Sequence, residues 1–181
     1  KILRIVQTPL FERLKGIKQA GIDTACGARE SCSRYEHSLG TYELVRRLQP
    51  DDESEQIFAL LHDIYHTNFS HTIDFMTDRS DISFHEANKK QFFENIGENP
   101  LIEILGSEWM SYMLHSENHP ITKNNGADKI DYLLRDGYYM NLIDKPFIDE
   151  ILNNLCVFGN RIVCKSETII KKFHYYSKQM T

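Results

Sequence analysis

The sequence predicts an all-α fold, a helical bundle that carries its functional residues in the bundle core. Apolar residues recur three and four positions apart along most of the chain, which is the spacing of one helix face. No stretch alternates apolar and polar residues for long enough to build a sheet-based core. A chain of 181 residues suits one compact domain with a single core, so we expect residues 1–181 to form one unit.

Local signals place the individual elements in order. Pro9 suits the first turn of a helix, and Asp52 with Glu55 resembles an acidic cap before the next apolar segment. Residues 161–164 are expected to form a short strand. We expect loops over residues 21–33, 77–83 and 116–126. We expect helices over residues 9–20, 36–48, 57–64, 85–95, 101–114, 127–141, 147–155 and 166–177.

Composition excludes several classes of protein. The chain has 21 basic and 26 acidic residues, and this net charge of -5 argues against nucleic acid as a partner. No apolar run approaches the roughly 18 residues that a membrane span needs, so we expect no membrane partner. The four cysteines form no C-x-x-C pair, which predicts reduced thiols in an intracellular, cytoplasmic protein, with the nucleus left open. The chain begins at Lys1 rather than Met, as a trimmed part of a longer protein would.

Histidines and carboxylates cluster in the middle of the chain. His62 and Asp63 directly follow an apolar segment, and a buried imidazole and carboxylate must be paired with each other or bound to a metal. For this dipeptide alone, a hydrogen-bonded pair at a helix end is the simpler interpretation. A mixed set of imidazole and carboxylate donors suits Mn, Fe, Zn or Ni, with Mg also possible. The candidate residues are His37, His62, Asp63, His66, His71, Asp74, His85, Asp128 and Asp131.

Five short segments contain most of these residues. They are Thr8-Pro9-x-Phe11-x-Arg13-Leu14-x-x-Ile17-Lys18-Gln19, Arg34-x-Glu36-His37-Ser38-Leu39-Gly40, Leu61-His62-Asp63-x-x-His66-x-x-Phe69-Ser70-His71, His85-Glu86 and Ala127-Asp128-Lys129-x-Asp131-Tyr132-Leu133-Leu134-Arg135-Asp136. In this order they resemble the motifs of the HD-domain phosphohydrolases, and among these the deoxynucleoside triphosphate triphosphohydrolase branch. The resemblance covers most of the chain and implies an HD helical bundle with a metal site in its core.

The resemblance also implies a role for each matching residue. It implies a divalent metal ion as cofactor, held by His37, His62, Asp63 and Asp128. The catalytic residues around the reacting phosphate would be His66, His71 and His85, with Asp74 orienting His71 from one helical turn away. Phosphate oxygens would be held by Arg34 and Lys129. The sugar pocket would be lined by Gln19, Tyr132 and Asp136. Asp131 is expected to be structural.

The implied reaction is hydrolysis of a deoxynucleoside triphosphate to a deoxynucleoside and tripolyphosphate. The sequence departs from the family pattern at Tyr65, where the family usually has glycine, and at Ala20, where it has a bulky residue. These departures keep two alternatives open. One is a 5′-nucleotidase or phosphodiesterase on the same scaffold, and the other is a nucleotide-sensing module without turnover. A core without the C-terminal lobes of larger family members would expose apolar surface, and a homo-oligomer would cover that surface.

Several residues outside these motifs are interpreted without a catalytic role. His115, His119 and His174 are expected to be ordinary loop or surface histidines. Lys89 and Lys90 are expected to lie on a solvated helix face.

Overall fold

Helices dominate the structure, a computed structural model that describes residues 1–21, 24, 26–27, 30–67, 89, 91–92, 100–123 and 125–180. The α-helices are α1 (Ile2–Val6), α2 (Pro9–Glu12), α3 (Arg34–Leu48), α4 (Glu53–Leu61), α5 (Pro100–Leu105), α6 (Trp109–Leu114), α7 (Ala127–Tyr139), α8 (Lys145–Asn154) and α9 (Glu167–Ser177). Short 3-10 helices cover Arg13–Gly16 and Ser116–Asn118. The prediction of an all-α fold is confirmed. The segment predicted as a helix over 85–95 and the loop over 77–83 lie largely or wholly outside the described residues.

The N-terminal helix is shorter than predicted. Its regular part ends at Glu12, and the 3-10 turn ends at Gly16. Beyond Gly16 the helix does not continue, because Lys18 pairs with Ser33 in an antiparallel bridge and the Gln19 amide donates to the Cys32 carbonyl at 2.9 Å. Residues 19–21 then form a turn. A contact with a distant segment therefore overrides the local helical periodicity.

The segment predicted as one helix over 101–114 is divided into α5 and α6. Gly106 lies between them with a φ of +86°, a left-handed conformation that favours glycine and ends a helix. Its amide donates to the Ile102 carbonyl at 2.9 Å, which closes the last turn of α5.

The C-terminal elements match their predicted order. Asp144 caps α8 by accepting from the Phe147 amide at 3.0 Å, and Ser166 caps α9. The predicted strand is confirmed as β2 (Arg161–Cys164), which pairs antiparallel with β1 (Leu155–Phe158). This hairpin links α8 to α9.

The buried apolar residues form two clusters. The first joins α1, α2, α5 and α6 to the α4 residues Phe58, Leu60 and Leu61. The second joins α3, α7, α8 and α9, and it also includes Ala59 of α4. Helix α4 therefore packs on both clusters, and its C-terminal end lies beside α3 and α7. In the described part of the chain, no helix is both long and apolar enough to cross a membrane.

Candidate metal centre

The first part of the centre lies at the start of α3. Ser33 and Glu36 form a capping box, in which the Ser33 hydroxyl accepts from the Glu36 amide at 3.2 Å and the Glu36 carboxylate accepts from the Ser33 amide at 2.8 Å. These bonds fix the first turn of α3. Arg34 and His37 are three residues apart in that turn, and both are buried on its inner face.

The second part is the turn that ends α4. His62 is the C-cap residue, and the His66 amide donates to the Asp63 carbonyl at 3.1 Å. Arg13 holds the same turn from outside, because its guanidinium donates to the carbonyl of His66 at 2.8 Å and also to that of Ile64. Arg13 therefore fixes the backbone that carries the His-Asp pair.

The third part is the first turn of α7, where Asp128 lies. The Asp128 amide donates to the Thr122 carbonyl at 3.1 Å. The amide and the hydroxyl of Thr122 each donate to the buried Glu55 carboxylate of α4 at 2.7 Å. Gly126 caps α7 so closely that a Cβ atom there would lie 2.0 Å from the Ile121 carbonyl oxygen. Glu55 thus joins α4 to the loop that positions Asp128.

These three parts bring four candidate ligands together. The Nε2 atoms of His37 and His62 are 3.2 Å apart. The Asp128 Oδ1 atom lies 3.2 Å from the His37 nitrogen and 3.6 Å from the His62 nitrogen. The Asp63 carboxylate lies 3.8 Å from the His37 nitrogen and 3.5 Å from that of His62. Donors about 2.1 Å from one ion at right angles to each other lie about 3 Å apart. The spacing of His37, His62 and Asp63 therefore suits one metal ion, and Asp128 lies next to both histidines.

Hydrogen bonds on the outer nitrogens fix the orientation of both imidazole rings. The Nδ1 atom of His62 donates to the Ala59 carbonyl at 2.7 Å, and that of His37 donates to the Asp131 carboxylate at 2.8 Å. Asp131 is itself held by the Arg135 guanidinium at 2.7 Å, in agreement with the structural role expected from the sequence. Both Nε2 atoms therefore face one place, and carboxylate and carbonyl partners orient metal-binding histidines in this way.

The carboxylates around His37 favour a positive charge at the centre. Burial alone would lower the pKa of His37, but the carboxylates of Asp128, Asp131 and Asp63 outweigh burial and raise that pKa to about 9. Burial would raise the pKa of the Asp63 carboxyl, yet Arg34 and the nearby histidines hold it well below its usual range. A proton on His37 balances part of this charge in the metal-free protein. The donor set, two imidazole nitrogens and two carboxylates around one point, is one that a divalent cation would fill.

The remaining predicted site residues fall into three groups. His66 and Tyr132 lie beside the ligands: the His66 Nε2 atom is 3.3 Å from Asp63, and the Asp128 carboxylate acts with burial to raise the pKa of Tyr132. Gln19 begins the turn after Lys18 and is bonded through its amide to the Cys32 carbonyl, close to the start of α3. Asp136 lies one helical turn beyond Tyr132 on α7. The predicted catalytic residues outside the described part of the chain are His71, Asp74 and His85.

The two expected phosphate-binding cations have different surroundings in the structure. The Arg34 guanidinium contacts the Asp63 carboxylate directly, and both side chains are buried. The Lys129 ammonium is exposed and donates to Asn125 at 2.9 Å, because a residue next to Asp128 on a helix points about 100° away from it. Lys123, which the sequence did not single out, instead contacts Asp128 at 3.0 Å.

Two interpretations of residues outside the motifs were wrong. His119 is buried, with its ring stacked on Phe58 at a centroid distance of 4.0 Å and its Nδ1 atom 3.5 Å from Glu55. Lys89 is also buried, and its ammonium lies 5.3 Å from the centre of the Tyr65 ring. In contrast, His115 is exposed and contacts Glu117, as expected of a surface histidine. The sequence around a single histidine or lysine does not indicate that an aromatic ring from another segment will pack against it.

Comparison with known proteins identifies the family. The HD domain model matches residues 34–136, more than half of the chain, and the chain belongs to the HD domain family. It is 30% identical over 163 residues to the metal-dependent phosphohydrolase cns2 of Cordyceps militaris, covering 87% of this chain and 46% of that protein. It is also 30% identical over 171 residues to a deoxynucleoside triphosphate triphosphohydrolase SAMHD1 homolog of Dictyostelium discoideum, covering 77% of this chain and 33% of that protein.

Solved structures agree with the fold. A crystal structure of a phosphohydrolase from Bacteroides thetaiotaomicron superimposes with a TM-score of 0.70 at 24% sequence identity, over 98% of this chain and 49% of that one. At this identity the likeness concerns the fold alone. The chain spans 36% to 50% of the length of the first curated relatives that it matches.

Proposed function

We propose that this protein is a metal-dependent phosphohydrolase that acts on nucleotides. The observation that carries the proposal is the pair of His37 and His62 Nε2 atoms, 3.2 Å apart, with the carboxylates of Asp63 and Asp128 beside them. Membership of the HD domain family and the name of the Cordyceps militaris relative support the same class of reaction. We further propose that residues 1–181 form one catalytic core.

The proposed metal ligands are His37, His62, Asp63 and Asp128. When bound there, a divalent ion such as Mn, Fe, Mg, Zn or Ni would supply Lewis acidity toward a phosphate oxygen and lower the pKa of water. Asp131 would keep the His37 ring in place, and Ala59 would do the same for His62 through its carbonyl. Four protein ligands leave positions for water and for substrate oxygens on an ion with six coordination sites.

The preferred substrate is a deoxynucleoside triphosphate. In this reaction a water oxygen would bond to the α-phosphorus while the bond from that phosphorus to the 5′ oxygen breaks. The leaving oxygen would gain a proton and the attacking water would lose one, giving a deoxynucleoside and tripolyphosphate. The name of the Dictyostelium discoideum relative supports this choice of substrate.

Histidines are the proposed proton carriers. His66 is buried next to Asp63, within reach of a substrate oxygen bound at the centre, and an imidazole can exchange a proton near neutral pH. By resemblance to the family, His71 and His85 would share this work, with Asp74 orienting His71. Which of them acts as acid and which as base stays open in the proposal.

The proposed sugar pocket lies between α7 and the turn that carries Gln19. Tyr132 and Asp136 are one turn apart on α7, and the buried Oε1 atom of Gln19 has no hydrogen-bond partner among the residues that the structure describes. A buried amide oxygen without a partner is costly, and a sugar hydroxyl would satisfy it. Arg34, which contacts Asp63 through Nη1, would bind a phosphate oxygen through another of its five N–H donors.

A second candidate is a 5′-nucleotidase or phosphodiesterase on the same scaffold. Tyr65 is buried, and its ring stacks on that of His66 at a centroid distance of 5.2 Å. This aromatic wall beside a proposed proton carrier favours a smaller or differently placed phosphate ester. A nucleotide-sensing role without turnover is the remaining alternative.

Product analysis tests the proposal. The protein is incubated with deoxynucleoside and ribonucleoside triphosphates, nucleoside monophosphates and a phosphodiester, and 31P NMR identifies the products. Mn²⁺ and Mg²⁺ are compared with EDTA, and His62→Ala and Asp63→Ala serve as controls. Tripolyphosphate that disappears with EDTA and in both variants is the expected result. Orthophosphate or a monophosphate would favour the second candidate, and the absence of any product from folded, metal-loaded protein would overturn the enzymatic proposal.

A further inference from the structure

The centre is most open on the side of Asp128. The side chains of His37 and His62 have no exposed area, and that of Asp63 is 7% exposed. The Asp128 side chain is 25% exposed. Among the four proposed ligands, therefore, Asp128 marks the side on which a phosphate group can approach.

Lys123 lies on this open side. Its ammonium is 3.0 Å from the outer Asp128 oxygen, Oδ2, while the inner oxygen, Oδ1, faces the two histidines. The Lys123 side chain is 31% exposed, so its end can move toward solvent or toward a bound anion. It is thus positioned between the ligand carboxylate and the opening.

The backbone that carries Lys123 is fixed. The Lys123 amide donates to the His119 carbonyl at 3.0 Å, and the Lys123 carbonyl accepts from the Gly126 amide at 2.8 Å. The preceding residue, Thr122, is completely buried and is bound to Glu55 through both its amide and its hydroxyl. A lysine whose backbone is held and whose ammonium stays partly solvated is suited to follow an anion over a short distance.

The neighbouring lysine of α7 faces another region. Lys129 is exposed, and with Asn125 it borders a cavity of about 420 Å³ lined mainly by apolar residues of α7, α8, the hairpin and α9. Of these two lysines, Lys123 is the one that contacts a proposed metal ligand. The sequence position next to Asp128 therefore does not identify the lysine at the centre.

We propose that Lys123 is a substrate-binding residue that takes an oxygen of the phosphate chain once Asp128 has become a metal ligand. This inference rests on the proposed function, because it assumes an anionic phosphate substrate at the centre. In the metal-free protein, the ammonium instead neutralises Asp128. Lys123 thus has two opposite effects: it competes with a metal ion for Asp128 and it attracts the phosphate chain.

The proposal predicts opposite effects of Lys123 on metal affinity and on phosphate affinity. A lysine with only a structural role would not show both effects. Removal of the ammonium in Lys123→Met should strengthen Mn²⁺ binding by a few fold, because a like charge near the ion is lost. The same variant should weaken the binding of inorganic tripolyphosphate to the Mn²⁺-loaded protein about 10-fold, because one charge-assisted hydrogen bond is lost. Lys123→Arg keeps the charge and should stay close to the wild-type protein in both measurements.

Isothermal titration calorimetry measures both constants without turnover. Lys129→Met is the rival variant, and Lys171→Met, which removes an exposed surface pair with Glu167, is the matched control. The inference is overturned if Lys123→Met weakens Mn²⁺ binding, if tripolyphosphate binding is unchanged in it, or if Lys129→Met shows the larger loss. Tripolyphosphate binding that depends on Lys123 in a protein without turnover would leave the lysine assignment standing and remove the proposed hydrolysis. If the protein hydrolyses a nucleotide but its tripolyphosphate binding does not depend on Lys123, the proposed hydrolysis stands and the assignment of Lys123 is overturned.

Discussion

Replacement of Gly40 by alanine tests how closely the metal centre depends on the contact between α3 and α7. A Cβ atom at Gly40 would lie 2.0 Å from the Oδ1 atom of Asp131 and 2.3 Å from the Arg135 guanidinium. Ordinary contact begins at 3.4 Å, so the Asp131 carboxylate must be displaced by about 1.4 Å. Arg135 can swing outward, whereas a shift of the Asp131 carboxylate also moves Oδ2, the oxygen that accepts from His37.

The consequence for the metal follows from the hydrogen bond that is lost. The bond from His37 to Asp131 is 2.8 Å long, and a displacement of this size would take it beyond hydrogen-bond distance. Loss of such an outer partner typically lowers metal affinity 10–100-fold, which corresponds to about 1.4–2.8 kcal/mol. The helix propensity of alanine acts in the opposite direction, since a solvated Gly→Ala change inside a helix stabilises a protein by about 1 kcal/mol.

Calorimetric titration with Mn²⁺ and thermal unfolding of the metal-free protein check the Gly40→Ala prediction. We expect metal affinity to fall within the stated range and the melting temperature not to rise. Gly16→Ala is the matched control, because no atom lies within 4 Å of the Cβ position at Gly16. A Gly40→Ala protein that binds Mn²⁺ as tightly as the wild type would refute the reasoning.

Three further predictions concern stability, pH and thiol reactivity. Thr122→Val should lower the free energy of unfolding by about 1–3 kcal/mol in urea denaturation, because the buried Glu55 carboxylate loses a donor, whereas Thr122→Ser should retain it. In the metal-free protein the pKa of His37 rises from 6.5 to about 9, so its contribution to stability is complete below pH 6.5 and is lost as the pH rises through 9. Without metal, the melting temperature should fall as the pH rises from 6.5 to about 9. The rise in melting temperature on adding metal should become larger over the same range, since metal binding requires unprotonated His37. A melting temperature that does not change with pH would contradict this prediction. Alkylation at pH 8 followed by peptide mapping should modify the exposed Cys26 and spare Cys32, because burial raises the pKa of the Cys32 thiol to about 12; equal labelling would argue against the structure.

Local signals were sufficient for most helices. Asp52 begins α4 with its carboxylate on the Glu55 amide at 2.9 Å, as its position before an apolar segment predicted. Pro9 occupies the first turn of α2 in the same way. The helix over 9–20 was overestimated because the pairing of Lys18 with Ser33 joins two segments whose proximity no local pattern records.

The candidate ligands were predictable, and the residues that support them were not. The order of the motifs pointed to His37, His62, Asp63 and Asp128, which the structure brings together. Arg13 and Glu55 act through backbone carbonyls, amides and a hydroxyl of other segments. Such contacts depend on tertiary packing, so a single sequence gives little indication of them.

The side-chain directions around α7 separate the predicted Lys129 from Lys123, which the sequence did not single out. Lys129 follows Asp128 in the motif, and a helix turns that neighbour away from the centre. Lys123 precedes α7, in the loop that Glu55 holds against α4, and the loop brings its ammonium to Asp128. Of the two lysines, Lys123 is therefore the one in contact with the proposed ligand Asp128.

The metal content of the purified protein tests the central claim most directly. Wild-type protein and a His62→Gln variant are loaded with Mn²⁺, dialysed and analysed by plasma mass spectrometry, with circular dichroism as the check on folding. We predict about one ion per wild-type chain and almost none in the variant, because a tetradentate site loses one of its two imidazole ligands. Equal metal content in the two folded proteins would contradict the assignment of this centre.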